Sequence, residues 1–253
     1  MTWIADEAIR WSSRLTVQRI DLQTVGLEHL PRQGPVLLAA RHYHHFWDGC
    51  ALLAVVPRPM QVVVTLDWMT SPLGRAMMER LCHAAGWPVV GRNDPVLDAR
   101  SRNGACERDQ SAMSNALRQR QPLREALDLL RRDRALLIFP EAYPTLDPHG
   151  TPKTSDDALL PFRPGVLHLA ALTERATGKR VPMVPVGLDY ARGARWSLNI
   201  RLGEPRWYEP GRERTAQLEA LEQDVRRLSG LPAGTGSQAD ADLTTRRWRV
   251  SAS

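Results

Sequence analysis

Three short apolar runs restrict the fold more than any other feature: "PVLLAA" (35–40), "MQVVVTL" (60–66) and "ALLIF" (135–139). A strand with one wet face alternates apolar and polar residues. A strand that is apolar almost throughout needs cover on both faces, as in a parallel sheet between layers of helices. Segments with helical periodicity separate these runs. "SPLGRAMMERLCHAAG" has Ser71 as N-cap, Pro72 in the first turn and Gly86 at its end. "PLREALDLLRRD", "PGVLHLAALTERATG" closed by Gly178, and "RTAQLEALEQDVRRLSG" closed by Gly230 are further helices. "RIDLQTV", "WPVVG", "VPMVPVGL" and "WSLNIRLG" supply further strands. The alternation predicts a single α/β domain, a mostly parallel mixed sheet flanked by helices.

Residues 1–16 form an N-terminal amphipathic helix, with Ile4, Ala8, Trp11 and Leu15 on one stripe and Trp3 beside it. Such a stripe packs on a core, or lies at lipid headgroup level with Arg10 and Arg14 toward acidic lipid. Asp6 and Glu7 favour the core. The main domain spans 17–231. Within it, the polar stretch from Asn93 to Gln121 is too long for an ordinary connection and reads as a lid or disordered insertion. Residues 232–253 read as a disordered tail.

The chain carries 34 Lys and Arg against 28 Asp and Glu, a net charge of +6. That balance suits an anionic partner such as a phosphate ester, an acidic lipid surface or nucleic acid; an arginine-rich background gives the same number. Cys50, Cys82 and Cys106 offer neither a disulfide framework nor a zinc clip, which fits a reducing cytoplasm. "TWIADEAIRW" is too polar for a signal peptide, and no apolar run is long enough to span a bilayer.

"RHYHHFWDG", from Arg41 to Gly49, follows the first apolar run and places His42, His44 and His45 ahead of Asp48. Two chemistries compete for it. A binuclear metal site needs Asp and His where Phe46 and Trp47 stand, and HExxH is absent. Proton transfer needs only an imidazole to accept the proton of a hydroxyl and a carboxylate to hold its tautomer. No GxSxG elbow is present to supply a serine nucleophile. A set of half-exposed histidines at a helix start, with Asp48 at the positive end of the helix dipole, is the plain structural alternative.

The order of several blocks resembles the glycerolipid acyltransferase family typified by 1-acylglycerol-3-phosphate acyltransferase. Its NHxxxxD block corresponds to "RHYHHFWDG", its GxxFxxR block to "GWPVVGR" (Gly86 to Arg92), its FPEGTRS block to "IFPEAYPT" (Ile138 to Thr145) and its VPxxPV strand to "VPMVPVGL". "LLPFRPGVLHLA" looks like the family's phenylalanine-basic-x-glycine helix entry, and "IRLGEP" like its closing strand. The likeness covers roughly Val17 to Leu228.

The resemblance implies transfer of a fatty acyl group from a thioester, acyl-CoA or acyl-carrier protein, to the hydroxyl of a lyso-glycerolipid such as lysophosphatidic acid. It implies no metal or bound cofactor, no nucleic acid, and peripheral work at the cytoplasmic face of an acidic membrane. His42 and Asp48 would form the catalytic pair, and Arg92, Glu141 and Arg163 the acceptor and phosphate site, with Glu141 shaping either that site or a polar network.

Two departures leave questions open. Five residues separate His42 from Asp48 where the family has four, so His44, at i, i+4 to Asp48, competes as the base. The register of "VLLAA" favours His42. In the third block Pro144 stands in place of the arginine near the acceptor phosphate. A metal-dependent hydrolase and a non-catalytic lipid-binding protein on the same fold remain the alternatives.

Overall fold

The computed structural model describes residues 3–66, 69–91, 121–148 and 150–232, with side chains from Ala5 onward. Arg92, the predicted insertion up to residue 120 and the tail beyond Pro232 lie outside the described residues.

The elements follow in the order α1 (Trp3–Thr16), β1 (Ile20–Val25), β2 (Val36–Ala40), α2 (Trp47–Val55), β3 (Met60–Val62), β4 (Val64–Thr65), α3 (Pro72–Ala84) and β5 (Val89–Val90). Helical residues 121–131 form α4. Then come β6 (Ala135–Ile138), α5 (Gly165–Thr177), β7 (Met183–Arg192), β8 (Trp196–Leu202) and α6 (Arg214–Leu228). Six strands make one sheet in the order β1-β8-β7-β2-β6-β3. Its pairings are parallel except β7 with β8. The expected mixed, mostly parallel sheet is present.

β2 shows why its sequence is apolar throughout. Val36, Leu38 and Ala40 belong to the core beneath α1 and α2, while Leu37 and Ala39 belong to the core shared with α4, α5 and α6. Period-two geometry splits one run between two buried layers. Gly187 in β7 lets α6 approach, since a Cβ there would lie 2.2 Å from the Leu228 carbonyl carbon. Ser71 caps α3 by accepting from the Gly74 N–H at 3.3 Å, and Gly178 closes α5 at φ 69°.

Two expectations need correction. "MQVVVTL" is not one strand. β3 is an edge strand beside β6, and the Val63 N–H makes a further bond to it, donating to the Leu137 carbonyl at 2.9 Å. The chain leaves after Val63, and β4 pairs with β5 in a separate two-stranded sheet. The described part of the α1 stripe, Ala8, Trp11 and Leu15, does not enter the core either. Ser13 is buried and Ile9 packs against the core, while Trp11 and Leu15 are 60% and 64% exposed. The inward face is chosen by polar anchors: Asp6 pairs with Arg134 at 3.0 Å, and Arg14 Nε donates to the Ala54 carbonyl at 3.5 Å.

Candidate active site

β2 and β6 lie side by side, with Ala39 opposite Ile138. Three residues past that register stand His42 on one strand end and Glu141 on the other. Neighbouring parallel strands thus deliver both blocks to one point beyond their carboxyl ends, where open α/β sheets bind ligands.

The His42 ring is held on two sides. Nδ1 lies 2.9 Å from Asp48 Oδ2, and Phe139 stacks on the ring at a centroid distance of 4.1 Å. Asp48 sits in the first turn of α2, fully buried. Its Oδ2 also accepts the Tyr43 and His44 N–H groups at 2.7 and 2.9 Å, and its Oδ1 accepts the Tyr190 hydroxyl at 2.8 Å. Burial and then the Asp48 charge push the Tyr190 phenol far above its ordinary value, so it is a fixed donor. Four donors and a helix N-terminus stabilise a carboxylate there. A carboxylate on Nδ1 takes the Nδ1–H, which leaves the Nε2 lone pair free on a ring that lines a chamber.

The extra residue between His42 and Asp48 is taken up in the loop at 43–46, which wraps the carboxylate. The structure brings the His44 backbone to Asp48, and its ring elsewhere. His44 Nδ1 accepts the Phe46 and Trp47 N–H groups at 3.2 and 3.3 Å, satisfying two donors at the start of α2. Its ring stacks on Trp47 at 4.3 Å. Burial, then His45, lowers the His44 pKa from 6.5 to about 4. The folded state resists that proton until about pH 4, while the unfolded chain binds it near 6.5. Stability from this group is therefore lost as pH falls from 6.5 toward 4. His44→Asn keeps a capping acceptor without the titration. Its Tm is expected to fall less steeply than that of wild type across this window; parallel curves would assign the acid limb to other groups.

Glu141 does not face an acceptor. It is 2% exposed; Oε1 accepts the His42 N–H at 2.7 Å and Oε2 the Leu160 N–H at 3.0 Å. Oε2 also pairs with Lys153 Nζ at 2.6 Å, both side chains being fully buried. Lys153 donates to the His42 carbonyl at 2.6 Å and to Thr145 Oγ1 at 3.3 Å. Desolvation draws the Lys153 and Arg41 pKa values down, and Glu141 opposes it in both. Two buried cations, Arg41 and Lys153, thus balance two buried carboxylates, Glu141 and Asp48, beneath the His42 ring. In the third block, Ala142 holds φ 66°, a left-handed conformation suited to glycine. Pro144 is buried and offers nothing to an anion.

Beyond the His42 ring opens an apolar chamber of about 340 Å³. Gly49, Cys50 and Leu53 of α2 form one wall, and Val64, Met78 and Trp87 help form the other. Burial pushes the Cys50 thiol up to about 11 and raises Cys82, so both are protonated wall residues rather than nucleophiles. Arg163 is exposed on the chamber's rim, its guanidinium 5.9 Å from the Tyr143 ring.

Of the residues picked out in the sequence, His42, Asp48 and Glu141 converge, with Arg163 at the rim; Arg92 lies outside the described residues. Tyr190 and Lys153 were missed. Among the described residues, no three His, Cys, Asp or Glu side chains group to hold a metal ion.

A half-buried histidine on a buried aspartate, at the carboxyl ends of parallel strands and opening on an apolar chamber, is equipped to deprotonate a hydroxyl beside an aliphatic chain. A family model described as Acyltransferase matches residues 21–189. The chain belongs to the acyltransferase family and is an O-acyltransferase by that membership. Its fold is similar to the crystal structure of the 1-acyl-sn-glycerophosphate (LPA) acyltransferase PlsC from Thermotoga maritima. The TM-score is 0.56 at 16% identity, covering 96% of this chain and 81% of that one. Comparison with curated protein sequences finds no match.

Proposed function

We propose that the chain moves a fatty acyl group from acyl-CoA or acyl-carrier protein to the hydroxyl of a lyso-glycerolipid, lysophosphatidic acid or a relative. The observation that carries this reading is the His42 ring, fixed by Asp48 at the head of the apolar chamber. His42 Nε2 takes the acceptor's hydroxyl proton and the alkoxide attacks the thioester carbonyl. The tetrahedral intermediate expels thiolate, which recovers the proton from the imidazolium. Asp48 stabilises that imidazolium, and no covalent acyl-enzyme is needed.

The chamber suits the acyl chain. A Cβ at Gly49 would meet nothing within 4 Å, so this position opens onto space. Gly49→Phe is expected to select against long chains. Each methylene kept out of the chamber costs about 0.8 kcal/mol, roughly fourfold in kcat/KM. A series of donor chain lengths checks this; an unchanged profile would place the chain elsewhere.

Arg163 is the described cation best placed for an acceptor phosphate. The function is tested by assaying labelled thioester with a panel of lyso-acceptors, with and without a phosphomonoester. Arg163→Ala is expected to raise KM for the phosphate-bearing acceptors by about ten- to a hundredfold. An acylated lyso-lipid supports the proposal; thioester consumption yielding free fatty acid supports a hydrolase, and no turnover a lipid-binding protein.

We also place the enzyme peripherally on the cytoplasmic face of an acidic membrane. No helix among the described residues is long and apolar enough to cross a membrane. The exposed Trp11 and Leu15 support an interfacial α1, with the Arg14 guanidinium 5.9 Å from the Trp11 ring. Binding to anionic vesicles is expected to weaken with salt, as the screening length shortens to ~10 Å at 0.1 M. Trp11→Glu with Leu15→Glu should abolish it in a flotation assay; unchanged flotation would exclude α1 as the contact.

A further inference from the structure

The stretch "GTPKTSDDALL" joins the third block to the α5 entry and reads as a solvated loop. In the structure it straps the tripeptide Arg41-His42-Tyr43. Arg41 Nη2 donates to the Asp156 carbonyl. The Tyr43 hydroxyl donates to the Asp156 carboxylate at 3.2 Å. Lys153 Nζ takes the His42 carbonyl, and the Leu160 N–H anchors Glu141, which takes the His42 N–H. One buried ion pair therefore grips both backbone polar groups of His42, and the Thr145 N–H adds a second bond to its carbonyl at 3.1 Å. Lysine stands at only two positions, 153 and 179, in a chain whose Lys and Arg total 34. A fully enclosed site that bonds a carbonyl, a hydroxyl and a carboxylate suits a compact ammonium with three donors and excludes the larger guanidinium fork.

We propose that Lys153 is a positioning residue for His42, and that with Glu141 it clamps the backbone carrying the base. The proposal rests on the acyl-transfer reading, which wild-type turnover tests separately. Where the resemblance implies an arginine the third block has the buried Pro144, and the strap supplies a buried cation instead. The Lys153 side chain is fully enclosed, so its removal is expected to act on the rate and leave binding alone.

The test compares Lys153→Met with the double variant Lys153→Met/Glu141→Gln. The single change leaves Glu141 buried and unpaired, which destabilises strongly. Removing both charges of a buried pair is often neutral for stability. In the double variant we expect a wild-type Tm, unchanged KM for donor and acceptor, and kcat lower by about a hundredfold, the scale of a 1 Å misplacement. Glutamine can still accept the His42 N–H and the Thr145 N–H still donates to the His42 carbonyl at 3.1 Å, so the loss reports the missing ammonium alone. Wild-type kcat in the double variant would overturn the proposal. So would a double variant that fails to fold, because the pair would then be a folding element. An inactive wild type in the same assay would instead overturn the acyl-transfer reading.

Discussion

His42→Ala is expected to lower kcat by about a hundred- to ten-thousandfold, the contribution of a positioned general base. KM for the thioester should change little, because His42 is one of many residues that line the chamber. The fold should survive. Asp48 keeps the Tyr43 and His44 N–H groups and the Tyr190 hydroxyl as donors after the ring is removed. Stopped assays on wild type and variant, with melting curves on the same samples, measure both effects. A variant retaining wild-type kcat would remove the imidazole from the mechanism. Full activity in His42→Ala with an inactive His44→Asn would move the base two residues along the loop.

Asp48→Asn tests the other half of the pair, and its effect is comparable. Losing the carboxylate behind a catalytic histidine frees the wrong tautomer and leaves the imidazolium uncompensated, at a cost on the order of ten-thousandfold. Asparagine is nearly isosteric and can still be accommodated. Its oxygen can accept from His42 and the two backbone N–H groups, while its amide faces the Tyr190 oxygen, which can turn to accept. Tyr190 therefore makes the variant foldable and the kinetic result interpretable. The expected outcome is a small change in Tm with a collapse of kcat. A collapse of Tm with normal kcat in the surviving protein would make Asp48 a structural carboxylate only.

The framework of this site was legible in the sequence for a physical reason. β2 and β6 announce themselves because each is buried on both faces, and the blocks they deliver follow directly in the chain. His42 and Asp48 lie close enough in sequence for their spacing to carry meaning. The remaining members do not. Tyr190 reaches Asp48 across 142 residues and Lys153 reaches His42 across 111, so nothing local marks either. Lys153 also lies in a polar stretch whose composition signals solvent, although its ammonium is wholly enclosed. Glu141 was found through its block, but the sequence left it between the acceptor site and a polar network, since an acidic residue after a strand looks the same whether it faces ligand or backbone; the structure puts it in the network. The α1 stripe failed differently. Its apolar periodicity was real, but Ser13 and Asp6 set the packed face, and periodicity alone does not say which face wins.

The central claim is direct acyl transfer from a thioester to a lipid hydroxyl by the His42–Asp48 pair. Mass spectrometry of lipid extracts, run beside a thiol assay, tests it in one experiment with purified protein, labelled acyl-CoA and lyso-glycerolipid. The account predicts one acylated lipid for each thiol released, in wild type and not in His42→Ala, with turnover unchanged by a strong chelator. Thiol release matched by free fatty acid, or activity lost to the chelator and restored by zinc or manganese, would contradict it.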